Sequence, residues 1–358
     1  MRIRCTNKLS VNFNTFFIVF ILSLSLILLK IYLVKSYGFA LTLDPFEGHL
    51  SNGHLILMPD EITYLNWIEQ RGLHFFLIFS SERSLFDITN MFGYYPSFIY
   101  KLSGDWLFTL AIGLIGLVLY NHSLKKLIYE ISLEKYFEKI QFILIFSPGI
   151  ILLSIGILRD LYLVSFVLYL FTYLIRREYI KIFIFLLLIF FTRNFILFFC
   201  LPFILYFFLY FNSYRNRIVL LVCCLQILSM LLVVNVYPSV NDTGISAIFL
   251  RVISAVFFIN IATFDIQTFL GEDWLFKLDR LGLFFQFIFA AYAYFKLLQR
   301  RISFNIIFFM FFSCSISLGI LYGHILGFFV FRTRLILFVL FVITYYTTMN
   351  QRNFRYAV

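Results

Sequence analysis

Long apolar segments, separated by short stretches rich in charged residues, set the pattern of this chain. A helix needs about 20 apolar residues to cross the ~30 Å hydrocarbon core of a bilayer. The segments predict about ten such crossings and hence an all-α polytopic membrane protein, with residues 1–358 forming a single integral membrane domain. The predicted spans are Phe13–Val34, Trp106–Tyr120, Ile140–Leu158, Leu161–Ile175, Ile182–Thr192, Phe195–Phe211, Ile218–Tyr237, Leu281–Leu298, Ile302–Leu321 and Leu335–Met349.

Two longer polar stretches interrupt the apolar pattern. Residues 36–105 form the longest, predicted as the first outer loop, and residues 238–280 form the second. Within the second loop, Ile248–Ile261 predicts a helix that lies along the membrane, and a crossing by residues 248–263 is the alternative. That crossing would move the acidic segment Phe264–Asp279 to the inner side, against the positive-inside rule. We therefore expect the helix to lie on the outer surface.

The composition excludes a soluble domain. The chain is 62% hydrophobic and 22% aromatic but only 13% charged, with a mean hydropathy of +0.94. Soluble domains have about 45–50% apolar and about 25% charged residues. The cysteines have no spacing typical of a metal site or a disulfide framework, and we interpret them as small apolar packing residues.

The signs of the charges orient the predicted spans. With both termini in the cytoplasm, the inner loops hold the larger share of the 29 Lys and Arg residues, and the outer loops hold most of the 18 Asp and Glu residues. Cytoplasmic loops of membrane proteins carry such an excess of Lys and Arg. The net charge of +11 is therefore explained by topology and gives no reason to expect a nucleic-acid partner.

Arginines stand at the outer ends of several predicted spans and in the outer loops. The guanidinium group is a planar fork of donors that pairs with phosphates and keeps its charge when desolvated. These arginines predict a binding site for a lipid-linked diphosphate, whereas contacts with lipid headgroups or with acidic side chains are the alternatives. The predicted substrate-binding residues are Arg159 with its neighbour Asp160, Arg193, Arg251, His324, Arg332 and Arg334. Arg159 and Asp160 are the pair expected to neutralise each other.

Arg193 follows the shortest predicted span. Ile182–Thr192 would reach ~17 Å at 1.5 Å per residue, about half of the hydrocarbon core. We therefore expect Arg193 to lie below the outer membrane surface, where an ionisable group is costly and indicates a functional site.

An acidic pair in the first outer loop stands at a predicted helix start. Pro59 fits the first helical position, Asp60 and Glu61 fall in the first turn, and Tyr64 shares a face with Asp60. Asp60 or Glu61 could act as a general base toward a sugar hydroxyl, or could hold a divalent cation that bridges phosphates. An ordinary helix start is the alternative. Beyond that cation, the sequence predicts no cofactor and no metal ligands.

The first span, the long outer loop with Asp60-Glu61 and Tyr64, and the outer arginines together resemble integral membrane glycosyltransferases of the GT-C type. That resemblance implies a lipid-phosphate sugar donor and a catalytic carboxylate in the first loop, at Asp60 or Glu61. Ser147-Pro148, Leu158-Arg159-Asp160 and the late Arg332-Thr333-Arg334 resemble Wzy-type O-antigen and capsule polymerases of the bacterial inner membrane. In those enzymes, outer arginines are expected to hold undecaprenyl diphosphate. Because the first loop is the longest here, the loop plan favours the GT-C type.

The resemblances imply glycosyl transfer at the periplasmic face between undecaprenyl-diphosphate-linked saccharides, with O-antigen or capsule repeat polymerisation as the expected reaction. The alternatives are a GT-C enzyme that adds one sugar from undecaprenyl-phosphate-sugar, and a flippase or transporter for the lipid-linked oligosaccharide. The charges cluster at the two faces rather than along a path through the membrane, with Lys30 as the main exception, which disfavours a transporter. The implied partners are the undecaprenyl-linked glycan, the lipid bilayer, and a chain-length regulator and flippase of the same pathway.

Overall fold

The computed structural model describes residues 14–37, 106–156, 159–193, 195–236, 244–259, 274–299, 306–321 and 331–355. These residues form helices joined by turns, and no strand occurs among them, which confirms the predicted all-α class. A 3₁₀ turn, Glu134–Tyr136, precedes the third helix. The α-helices are α1 Asn14–Tyr37, α2 Trp106–Glu130, α3 Phe137–Ile145, α4 Pro148–Ser154, α5 Asp160–Arg176, α6 Tyr179–Arg193, α7 Phe195–Phe199, α8 Leu201–Phe208, α9 Arg215–Val236, α10 Gly244–Phe257, α11 Trp274–Gln299, α12 Ile306–Leu321 and α13 Phe331–Arg355.

Some of these helices have the length and composition of membrane spans. Two of the described helices qualify outright, through Thr15–Tyr32 of α1 and Lys277–Gln299 of α11. The bent pair formed by Glu134–Ile145 and Pro148–Ser154 raises the number to three if it is one broken span. The segments Ile306–Ile320 and Arg334–Asn350 are shorter apolar helices.

A break between α3 and α4 interrupts the predicted span Ile140–Leu158 at Ser147-Pro148. Pro148 is the first residue of α4, and Ser147 before it has an extended backbone conformation. A proline has no backbone N–H and disfavours helical geometry in the preceding residue, so a helix cannot continue through this point. The two helix axes meet at 70°.

Two helices form the centre of the bundle. In α5, every residue from Asp160 to Ile175 is buried, and in α13 the segment 335–346 is buried. Helix α5 packs against α2, α6, α8 and α13. Helices α1, α6, α9 and α11 pack against neighbouring helices on one face. On the other face they expose large apolar side chains, among them Leu28 of α1, Phe183 of α6, Leu221 of α9 and Phe295 of α11.

The structure also changes some predicted boundaries. Helix α2 continues past the predicted end of its span, Tyr120, to Glu130, and α6 begins at Tyr179 rather than at Ile182. In the second predicted loop, a helix of 14 residues, α10, forms at Gly244–Phe257. Its length of ~21 Å is short of a ~30 Å core, and it packs against α12.

Candidate functional site

Arg193 and Asp160 meet at one end of the α5–α6 hairpin. Helix α5 ends at Arg176, and the next residue, Arg177, has a left-handed conformation (φ 58°) that caps the helix and turns the chain into α6. Because the turn is tight and the two helices pack side by side, the first residue of α5 comes to lie beside the last residue of α6. The Nη1 atom of Arg193 is 3.6 Å from Oδ1 of Asp160, and the two side chains are 15% and 5% exposed. The sequence predicts that Arg193 lies below the outer membrane surface, and the structure shows that its side chain is largely buried within the protein.

A second arginine, Arg334 near the start of α13, is fully buried. Its Nη2 donates to Oγ of Ser254, and its Nη1 donates to the carbonyl oxygen of Ile259 at 3.3 Å. The hydroxyl of Ser254 in turn donates to the same carbonyl oxygen at 2.5 Å. Asp279 of α11 is also buried and close enough to stabilise the Arg334 charge. Protein groups therefore satisfy much of the bonding capacity of Arg334.

The two arginine clusters lie at the same end of the bundle, as two contacts at the other end show. Arg176, the last residue of α5, donates to Glu130, and Asn350 of α13 donates to the carbonyl oxygen of Ser132 at 3.1 Å. Helices α5 and α13 therefore finish beside the same turn after α2. The same number of residues separates Asp160 from Arg176 and Arg334 from Asn350. Each helix therefore rises by ~24 Å between the two residues of its pair. Asp160 and Arg334 consequently lie at similar depth at the opposite end.

Lys30 of α1 belongs to this end of the bundle as well. Its ammonium group is buried and donates to the carbonyl oxygen of Ile155, just after α4, at 3.2 Å. A hydrogen bond of 2.6 Å between the hydroxyls of Ser23 and Ser154 joins the same two helices. In the sequence, Lys30 stands out only as an exception to the charge pattern. A lysine within an apolar run indicates that its ammonium group has a partner, but the sequence does not show which carbonyl oxygen accepts the hydrogen bond.

The other predicted site residues are placed as follows. Arg159 stands directly before α5 and is partly buried next to Asp160 in the chain. Arg251 lies in α10 and Arg332 in α13, where the structure describes the backbone but not these side chains. The predicted residues that lie outside the described residues are Asp60, Glu61, Tyr64 and His324. Within the described ranges, no group of three or more His, Cys, Asp or Glu residues could hold a metal ion.

The opposite end of the bundle carries an exposed ion-pair network. Glu178, in the turn between α5 and α6, pairs with Lys181 at 2.5 Å and with Arg176 at 3.9 Å. The hydrogen bond from Lys181 lowers the pKa of Glu178, and the same bond raises the pKa of Lys181. Exposed pairs of this kind contribute little stability.

No protein-family model, curated protein or solved structure matches this chain.

Proposed function

We propose that this protein is an integral membrane glycosyltransferase that joins undecaprenyl-diphosphate-linked saccharides at the periplasmic face of a bacterial inner membrane, most simply as an O-antigen or capsule repeat-unit polymerase. The observation that carries the proposal is the Arg193–Asp160 pair, which is largely withdrawn from solvent at the end of the bundle that also contains Arg334. A buried ionisable group at membrane depth is costly and is retained for function by default.

The outward-facing apolar side chains support membrane embedding. Soluble monomers rarely expose contiguous apolar patches larger than a few hundred Å², yet α1, α6, α9 and α11 each present several large apolar residues to their surroundings. Lipid is the solvent in which such faces are stable. We propose the full set of predicted crossings with both termini in the cytoplasm, which places the ends containing Asp160, Arg193 and Arg334 outside.

Arg193 is the residue assigned to the diphosphate. Its separation from Asp160, 3.6 Å, is longer than the 2.7–2.9 Å of a charge-assisted hydrogen bond. Asp160 is thus close enough to orient the guanidinium electrostatically. Arg334 is bound more tightly to protein groups, and we assign it to positioning α13 against α10 and α11 rather than to the substrate.

The proposed reaction is a displacement at the anomeric carbon of the donor saccharide. A hydroxyl of the acceptor sugar forms the new glycosidic bond while its proton passes to Asp60 or Glu61. The bond from the anomeric carbon to the diphosphate oxygen breaks, and its electron pair leaves with the undecaprenyl diphosphate. Arg193, together with Arg159, would stabilise the negative charge that develops on that leaving group. Preorganised positive groups accelerate a reaction when they face the charge that develops in the transition state. A divalent cation held by the first-loop carboxylates is a further source of positive charge.

Lys30 argues against transport as the main activity. A transport path would use charged side chains along mid-membrane, and Lys30, within the apolar run of α1, is the main exception to the clustering of charges at the two faces. Its ammonium group donates to the end of α4, which gives it a structural role. We therefore retain the single-sugar transferase, not the transporter, as the alternative to be separated by experiment.

The test is the surface polysaccharide of a deletion strain of the source bacterium, complemented with wild type, Arg193→Ala, Asp60→Ala or Arg217→Ala. Arg217 is an exposed arginine at the start of α9, at the other end of the bundle, and serves as the matched control. Membrane levels of each variant are compared by immunoblot. We expect deletion, Arg193→Ala and Asp60→Ala to leave a single repeat unit on the acceptor lipid, and Arg217→Ala to restore the ladder.

Two other patterns would change the assignment. Complete loss of the polysaccharide, without one repeat, would place the protein before polymerisation, in repeat assembly or flipping. An intact ladder with altered band mobility would replace polymerisation by addition of a single side sugar.

A further inference from the structure

A cavity of about 280 Å³ lies at the end of the bundle opposite to Arg193. It is enclosed by the turn after α2, the end of α8, and the ends of α9, α12 and α13 that face this side. Asn350 of α13 and Ser132 lie on its wall, and the contact between them is one of those that define this end of the bundle. The cavity is thus separate from the arginine clusters described above.

Arg215 supplies the positive charge of the cavity. Its guanidinium carbon lies 4.2 Å from the ring centroid of Tyr206 and 5.3 Å from that of Tyr210. Its Nη1 donates to the carbonyl oxygen of Tyr210 at 2.8 Å, and its Nε reaches Oδ1 of Asn216 at 3.4 Å. No carboxylate of the described residues forms an ion pair with Arg215. The two rings and the carbonyl hold the guanidinium in place, while its charge is left without a counter-ion in the described part of the chain.

Asn350 supplies an unused acceptor. This residue is 8% exposed, and Oδ1 has no hydrogen-bond partner among the described residues. Its Nδ2 donates to the carbonyl oxygen of Ser132. Since that carbonyl can only accept, the amide orientation is fixed and the atom left over is the oxygen. A buried polar atom without a partner costs free energy, so this position favours a ligand that donates a hydrogen bond.

The surroundings of the cavity indicate a ligand that arrives from lipid. Phe208, Phe211 and Ile218 are exposed apolar residues close in sequence to its lining. Arg177 lies over the ring of Phe211, at 5.6 Å, and adds a second positive charge nearby. The cavity volume lies just below the ~300–1,000 Å³ range of ligand pockets, which suits a headgroup but not acyl chains. The chains would rest on the exposed apolar surface beside it.

We propose that this cavity binds the headgroup of an anionic phospholipid from the inner leaflet, with the phosphate on Arg215 and a headgroup hydroxyl donating to Oδ1 of Asn350. A phosphoglycerol headgroup has both groups. Phosphatidic acid has the phosphate without the glycerol hydroxyls, and phosphatidylcholine has a phosphate whose charge is balanced and no donor. The site therefore prefers phosphatidylglycerol over both.

The test measures binding to the purified full-length protein in dodecyl maltoside, by thermal shift and by titration. The probes are dihexanoyl phosphatidylglycerol, dihexanoyl phosphatidic acid, dihexanoyl phosphatidylcholine and glycerol 1-phosphate. We expect phosphatidylglycerol to raise the melting temperature and phosphatidylcholine to leave it unchanged. Arg215→Gln should weaken phosphatidylglycerol binding about tenfold, because the loss of one charge-assisted contact lowers affinity by about that factor.

Two further variants make the assignment specific. Arg217→Gln removes an exposed arginine from the same helix and should leave binding within about twofold, since it keeps the cavity contacts. Asn350→Leu should abolish the preference for phosphatidylglycerol over phosphatidic acid while both still bind. Equal losses in Arg215→Gln and Arg217→Gln would show unspecific attraction and overturn the proposal. Equal stabilisation by glycerol 1-phosphate would assign the cavity to a soluble phosphate ester and overturn its assignment to a lipid.

Discussion

The guanidinium of Arg193 lies 3.6 Å from the carboxylate of Asp160. In the chain, 32 residues lie between Asp160, the first residue of α5, and Arg193, the last residue of α6. The sequence places Arg159 next to Asp160, and neighbouring opposite charges suggest a pair. In the folded chain, the α5–α6 hairpin also gives Asp160 a partner from the other helix. Because both side chains are shielded from water, the attraction between them is less screened than at a surface.

Removing either member of this pair should destabilise the protein. We expect Asp160→Asn and Arg193→Gln to lower the free energy of unfolding individually, and the double variant to lower it by less than their sum. The coupling free energy expected for two contacting groups is about 1–3 kcal/mol. Unfolding of the four proteins in mixed micelles of dodecyl maltoside and sodium dodecyl sulfate measures it. Strictly additive effects would mean that the two charges act independently.

Arg334 is expected to be a stability determinant rather than a substrate ligand. Replacing it with Ala leaves Asp279 and the carbonyl of Ile259 buried with fewer partners, and removing one member of a buried charge pair costs about 3–5 kcal/mol. Arg334→Lys should not restore stability, because one ammonium group cannot reproduce the two-armed contact with Ser254 and Ile259. The measurement is the monodisperse fraction after size-exclusion chromatography together with the melting temperature. Normal stability of Arg334→Ala, with loss of polysaccharide, would return Arg334 to the substrate site.

The sequence predicts those parts of the fold that depend on local chemistry. Pro148 predicts the break between α3 and α4, because a missing N–H and a clash with the preceding turn act within a few residues. The apolar runs predict where helices form, since backbone groups must be satisfied internally in lipid. The depth of Arg193 in the membrane stays a prediction from the short apolar run before it, and α6 is longer than that run because it begins at Tyr179.

Contacts between distant segments could not be predicted in this way. Nothing near Arg334 in the chain indicates that Ser254 of a separate helix accepts its hydrogen bond. The cavity around Arg215 is likewise assembled from helix ends that are far apart in sequence. The helix ends that meet there are all ones that the charge pattern assigns to the same side of the membrane. The roles of Asp60, Glu61, Tyr64 and His324 remain predictions from sequence.

Two glycines on α2 should respond differently to the same substitution. A Cβ at Gly113 would stand 2.3 Å from the carbonyl oxygen of Ser154 and 2.7 Å from that of Gly156, which are backbone atoms that cannot move aside. A Cβ at Gly116 would stand 3.0 Å from the ring of Tyr162 and 3.2 Å from Cβ of Leu161, which is a smaller overlap with side-chain atoms only. Gly113→Ala should therefore cost about 1–3 kcal/mol through overpacking, and Gly116→Ala should cost less. Melting temperatures in detergent compare the pair, and equal effects would mean that α2 does not approach α4 as closely as described.

The proposed orientation predicts which positions reach each side of the membrane. In a variant whose five cysteines are replaced by Ala, Lys181→Cys tests the turn between α5 and α6, and Ser51→Cys tests the first loop. Lys181 is exposed in the ion-pair network with Glu178, so a cysteine there is reachable by a reagent in water. We expect a membrane-impermeant maleimide to label the Ser51→Cys protein in intact spheroplasts and the Lys181→Cys protein only after lysis. Labelling of Lys181→Cys in intact spheroplasts would invert the topology and put Arg193 and Asp160 on the cytoplasmic side, where a periplasmic polymerase could not use them.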